Sequence, residues 1–162
     1  MKYLKNGEFG KNDMLRLVLV LAMIYISIFW ITNLLIYAEK IGFTYSSVAG
    51  YYAGSEDEFK NPISYAGLLE STHFHLFSYG VALLVVGHLA VYSGVLTFAM
   101  RFLIPVSFLA GLLNIGAGWM IRFISPSFTW LKIGSFIVFQ AGFFILLCCS
   151  FAAVKMYRAG QR

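Results

Sequence analysis

Glu70, His73, His75 and His88 are the residues whose types and spacing can do chemistry. They include all three histidines of the chain and lie in the stretch 70–88, E-S-T-H-F-H-L-F-S-Y-G-V-A-L-L-V-V-G-H. Most of that stretch is apolar enough to enter a membrane. An ionisable side chain in hydrocarbon is costly unless it is paired or ligated, so each of these four is a candidate functional group. Imidazole can ligate haem iron. It can join a carboxylate around a zinc, copper or non-haem iron ion. It can also exchange a proton with a quinone, because it titrates near neutral pH.

The elements that must position these groups are membrane helices. The chain has 162 residues, 60% of them hydrophobic, with a mean hydropathy of +0.78. Four apolar runs, at about 15–37, 74–99, 102–121 and 128–154, each supply the ~20 residues that a spanning helix needs. No strand period is present, which disfavours a barrel. The expected fold is therefore an all-α integral membrane protein: one four-transmembrane-helix bundle over residues 1–162, with no water-soluble domain left over. The first run has the length of an uncleaved signal anchor. Lys2, Lys5, Lys11 and Arg16, then Arg101, then Lys155, Arg158 and Arg162 all fall on one side if the helices alternate. The stretch 38–72 is acidic, with Glu39, Glu56, Asp57, Glu58 and Glu70 against Lys40 and Lys60. Both termini are thus expected in the cytoplasm and the long loop outside, in a bacterial inner (cytoplasmic) membrane. The net charge of +5 follows from this topology. With no separate basic domain, it makes no case for nucleic acid. Cys148 and Cys149 are adjacent, lack CxxC spacing and read as packing residues.

The outer loop 38–72 carries Phe43, Tyr45, Tyr51, Tyr52, Phe59 and Tyr65, and is expected to fold as a cap over the bundle. Within it, residues 62–70 are expected to begin a short interfacial helix. Ser71 or Thr72 is expected to cap the second span, and Pro105 to sit in the first turn of the third. Ser125-Pro126-Ser127 makes the second outer turn. Gly80, Gly87 and Gly94 recur every seventh residue on one side of the second span. They leave room for another backbone or for a flat cofactor.

At about 100° per residue, Glu70, His73 and His88 share one side of a helix, and His75 points about 140° away from His88. His75 and His88 differ in height by roughly 20 Å. Histidines at two levels of one membrane helix resemble the di-haem membrane cytochromes of the b type. That resemblance implies electron transfer through haem b, with each haem clasped by histidines from two helices. His73 fits the outer position and His88 the inner one. The other three spans contain no histidine. The opposite ligand would come from Met120, from the second member of the pair His73/His75, or from another subunit across a two-fold axis. Arg122 and Lys132 flank the outer mouth against the positive-inside trend. They suit haem propionates, or else Glu70 or lipid phosphate. Glu70-x-x-His73 is also similar to half of a haem A synthase, where the motif pairs an acidic residue with a haem-ligating histidine. The resemblance covers this motif only. On the fourth span, where that family has a further histidine, the nearest polar residue is Gln140.

Three other readings stand beside haem. Glu70, His73 and His75 would coordinate one transition-metal ion if the helix began near residue 74, with Glu56, Asp57 and Glu58 in reach from the loop. A histidine beside a carboxylate would serve a quinone. In a purely structural accessory subunit, His88, Asn114 and Gln140 would form a hydrogen-bonded knot, with His73 and His75 snorkelling to water. The leading expectation is a haem-binding electron-transfer protein, or the membrane subunit of a respiratory, quinone-linked complex. Its partners would be the lipid bilayer, quinone, and further copies or partner subunits.

Overall fold

The computed structural model describes residues 13–56, 58–95 and 97–159. Lys2, Lys5, Lys11, Asp57 and Arg162 lie outside the described residues, as do the side chains of Lys155 and Arg158. The described elements are α1 (Asp13–Lys40), α2 (Tyr45–Ala53), α3 (Tyr65–Tyr92), α4 (Thr97–Phe123), a 3₁₀ turn (Pro126–Phe128) and α5 (Thr129–Ala159). No strand occurs among the described residues. Four helices are long and apolar enough to span a membrane, over Arg16–Lys40, Tyr65–Tyr92, Phe98–Phe123 and Pro126–Ala152. The chain is an integral membrane helical bundle.

Three boundaries differ from expectation, each for a local reason. α3 starts at Tyr65, not near residue 72, because Ser64 is the first hydroxyl beyond Pro62. Its extended backbone lets its side chain accept the Gly67 N–H at 3.1 Å. Residues 65–70 are therefore the first turns of the spanning helix, and the short separate helix is α2. Ser71 and Thr72 are interior to α3 and do not cap it. α3 also ends early. The apolar run continues past a turn at Ser93–Gly94, where Gly94 adopts φ +66° and Ser93 Oγ accepts the Val95 N–H at 3.1 Å. Gly94 is thus a turn residue and not part of a helix stripe. α4 correspondingly begins at Thr97, which places Pro105 inside the helix, beyond its first turn. A proline there offers no N–H to the carbonyl one turn back.

α3, α4 and α5 pack against one another, with α5 at the centre. Phe136, Phe139, Phe143 and Leu146 of α5 are essentially inaccessible. α1 stands apart and leans mainly on α5. Two ring stacks hold it there: Trp30 on Phe144 at 5.2 Å and Tyr37 on Phe136 at 3.6 Å between centroids. The rest of α1 exposes Leu17, Leu21, Ile24, Ile28, Ile31 and Leu35, a surface suited to lipid.

α2 forms the expected cap. A reciprocal capping box between Thr44 and Ser47 starts it. Val48 and Tyr52 bury themselves with Leu68, Ile121 and Ile133 at one end of the bundle. Tyr52 passes so close to α4 that a Cβ on Gly118 would lie 2.9 Å from its Cε1. Gly118→Val is expected to cost about 1–3 kcal/mol by overpacking, and to lift α2 off the bundle. A lowered unfolding midpoint in detergent, with new protease cleavage confined to 41–64, would show it.

Candidate functional site

α1 and α5 meet on one side of the bundle, and α3 and α5 on another. The space left between α1 and α3 is a crevice of about 370 Å³, floored by α4 and α5 and roofed by Tyr51 and Tyr52 of α2. That volume lies within the ~300–1,000 Å³ usual for small-molecule sites. The crevice brings together polar side chains from all four apolar helices, among them Asn33, His75, Tyr79, Asn114 and Lys132.

Lys132 of α5 is its dominant group. The side chain is 6% exposed, and Nζ donates to Asn114 O at 2.8 Å and to Asn114 Oδ1 at 3.0 Å. Asn114 in return donates Nδ2–H to Lys132 O at 3.2 Å. Nζ also lies 5.3 Å from the centroid of the Tyr52 ring, a cation–π distance. Burial raises the pKa of the Tyr52 phenol, so it remains neutral and its ring stays a π face for the ammonium. Among the described residues the ion pair found is Glu58–Lys60, at 2.5 Å in the loop. Among the described residues no carboxylate lies within ion-pair distance of Lys132. An ammonium has three donors, and Lys132 spends two of them on Asn114.

His75 lines the same crevice, half-buried. Its Nδ1 lies 2.6 Å from Ser71 O. A carbonyl only accepts, so Nδ1 carries a proton, and in the neutral ring Nε2 keeps its lone pair. The ring meets Tyr79 edge-on at 4.9 Å. Deeper in, an amide bridge ties α1 to the bundle. Asn33 Nδ2 donates to Tyr79 OH at 3.1 Å, and Gln140 Nε2 donates to Asn33 Oδ1 at 2.7 Å. The Tyr37 hydroxyl is buried in the crevice wall with no hydrogen-bond partner. Glu70 lines the mouth and is exposed.

The structure thus separates residues that the sequence placed together. His73 and His88 do share one side of α3, but that side faces away from the bundle, and both are exposed. His88 meets Tyr92 at 5.0 Å and takes no part in a knot with Asn114 and Gln140. Those two belong to different links, one to Lys132 and one to Asn33. Because α3 is helical from Tyr65 onward, the His73 and His75 rings diverge by about 160°. The condition for joint ligation with Glu70, a helix starting near residue 74, is not met. No cluster of three or more metal-ligating side chains occurs among the described residues. Met120 does not line the crevice. Arg122 is committed to the start of α3, donating Nε–H to Ile63 O at 3.0 Å and lying 5.2 Å from the Phe123 ring centroid. Lys132 is inside the bundle and not at its rim. Asn33, Tyr37 and Tyr79 line the crevice as well, and none of them is among the candidates that residue type and spacing single out. The spacing His75-x-x-x-Tyr79, one turn on the inward face, was the available signal.

The profile of a family described as a transmembrane helical domain, Aq_1264_TM, matches residues 42–161. This chain belongs to the Aq_1264_TM family. The matched span holds α2, α3, α4 and α5, and so Lys132, Asn114, His75 and Tyr79. α1, which supplies Asn33 and Tyr37, precedes the Aq_1264_TM span. No curated protein and no solved structure matches the chain.

Proposed function

We propose that the protein is the membrane subunit of a quinone-linked electron-transfer system, and that the crevice between α1 and α3 holds the quinone head group. The observation that carries this reading is the pairing of opposite hydrogen-bonding characters in one apolar crevice. Lys132 offers an unspent N–H, and His75 offers a lone pair on Nε2. A quinone carbonyl needs a donor and a quinol hydroxyl needs an acceptor, so the pair suits both redox states. Glu70 at the mouth supplies a proton-exchanging group beside the rim. The acidic stretch 38–72 supports an extracytoplasmic position for the α2 end, and the basic flanks support cytoplasmic termini.

Haem b is the second reading, favoured by one observation. A histidine whose Nδ1–H is held by a backbone carbonyl has its ring fixed and its Nε2 turned outward, as in a metal-ligating histidine. That observation favours His75 over His73. His75 is the one imidazole lining the crevice, so a six-coordinate haem there would take its other axial ligand from a second copy or a partner subunit.

Titrating a decyl-tailed benzoquinone into the purified protein, followed by quenching of tryptophan fluorescence, tests the leading reading. Saturable binding is expected, weakened about 5-fold in His75→Ala by loss of one neutral hydrogen bond and unchanged in His73→Ala. Binding that never saturates, or that His73→Ala and His75→Ala weaken equally, would reject it. A visible spectrum of the same preparations decides for haem if a Soret band is present and is lost only in His75→Ala.

A further inference from the structure

The crevice is closed toward one end of the bundle and open toward another side, and this asymmetry bears on the kind of molecule it takes. Toward the loop end, Tyr51 and Tyr52 of α2 and Ile41 lie over it. Tyr52 is locked by its contact with Gly118 and by its burial beside Val48 and Leu68. Toward the side, nothing comparable exists. α1 packs on α5 and hardly touches α3. Deep in the crevice the two helices are joined, where Asn33 meets the Tyr79 hydroxyl and the Phe29 and Tyr79 rings meet edge-to-face at 6.3 Å. Beside and above that junction the crevice is rimmed by Thr32 and Ile36 of α1 and Phe74 of α3. All three are exposed and all lie within spanning segments. Charged rim residues, Lys40 and Glu70, occur only near the α2 end.

We infer that the gap between α1 and α3 is a lateral portal, through which a ligand with a polar head and a long apolar tail enters from the bilayer. The head reaches Lys132 and His75, and the tail leaves between Ile36 and Phe74 into lipid. The inference rests on the quinone reading for the head group and adds the tail and the route. It names the ligand class as prenyl- or alkyl-tailed and membrane-partitioned. Polarity along the path agrees with this. The inner wall is lined by hydrogen-bonding groups, whereas the rim away from the α2 end is made of two apolar side chains and a threonine whose hydroxyl is spent on its own helix, at 2.9 Å from Ile28 O. A water-soluble ligand gains nothing from such a rim, while an alkyl tail crosses it without desolvating any polar group.

Bridging the gap tests the portal. Ile36→Cys and Phe74→Cys are introduced together in a Cys148→Ser, Cys149→Ala background, and joined with a short bifunctional maleimide. Two probes are compared in detergent micelles before and after bridging: the decyl-tailed benzoquinone and the same head group without a tail. The expected result is at least a tenfold slower and weaker uptake of the tailed probe after bridging, with the tail-less head group binding as before. Equal binding of the tailed probe before and after bridging would overturn the portal and leave the head-group site standing. Failure of both probes to bind the wild-type protein would overturn the quinone reading and the portal with it.

Discussion

Lys132→Met is expected to abolish most ligand affinity while leaving the fold intact. The two effects separate because they come from different terms. A hydrogen bond from a charged donor contributes about 1.5–3 kcal/mol, so its loss should weaken quinone binding about 10- to 100-fold. Stability should hardly fall. A buried ammonium without a carboxylate is a poor stabiliser, and replacing a buried charge with an apolar residue of similar volume is often neutral or better. Against that gain stands the Asn114 oxygen pair, which loses its donor and costs about 1–3 kcal/mol. The unfolding midpoint in detergent should therefore move little, in either direction. A large loss of stability with unchanged quinone affinity would mean that Lys132 is a structural strut and not a binding group.

Asn114→Leu is expected to be the most damaging single substitution in the bundle. It leaves Lys132 buried with only the backbone carbonyl of residue 114 to accept from it, and it removes the return bond to Lys132 O. Breaking a buried charged contact from one side costs about 3–5 kcal/mol. The diagnostic is the double substitution. Lys132→Met should restore most of the loss in Asn114→Leu, because the stranded charge is then gone. A double mutant as unstable as the sum of the two singles would show that Asn114 acts through packing alone.

Much of the architecture was legible in the sequence, because hydropathy run length is a strong signal for spanning helices. Four runs, the capped loop and the turn at Ser125 all appear in the structure. The boundaries were not legible where apolar composition hid a local instruction. Ser93 and Gly94 are embedded in the apolar run 74–99, which has the length of one span, yet they turn the chain there. Ser64 begins α3 through a single side chain-to-backbone bond, and it sits in a stretch that composition assigns to the loop. The candidate site was half legible. Helical geometry correctly put His73 and His88 on one side and His75 on another. Which side faces the bundle depends on where α4 and α5 pack, and one helix alone cannot supply that. Lys132 stood out as a basic residue on the acidic side of the expected topology. Its burial and its bond to Asn114, eighteen positions earlier in the chain, are tertiary facts.

The attachment of α1 also bears on how the protein is made. Synthesis runs from the N-terminus, so α1 is already in the bilayer when α5 emerges from the ribosome. α5 carries two polar side chains into the bilayer, Lys132 in its first turn and Gln140 about two turns further along. Asn33, waiting on α1, offers Gln140 an immediate partner, and the stacked rings of Tyr37 and Trp30 offer α5 a landing surface. On this order of synthesis, the first helix is in place as a docking surface when the last one arrives.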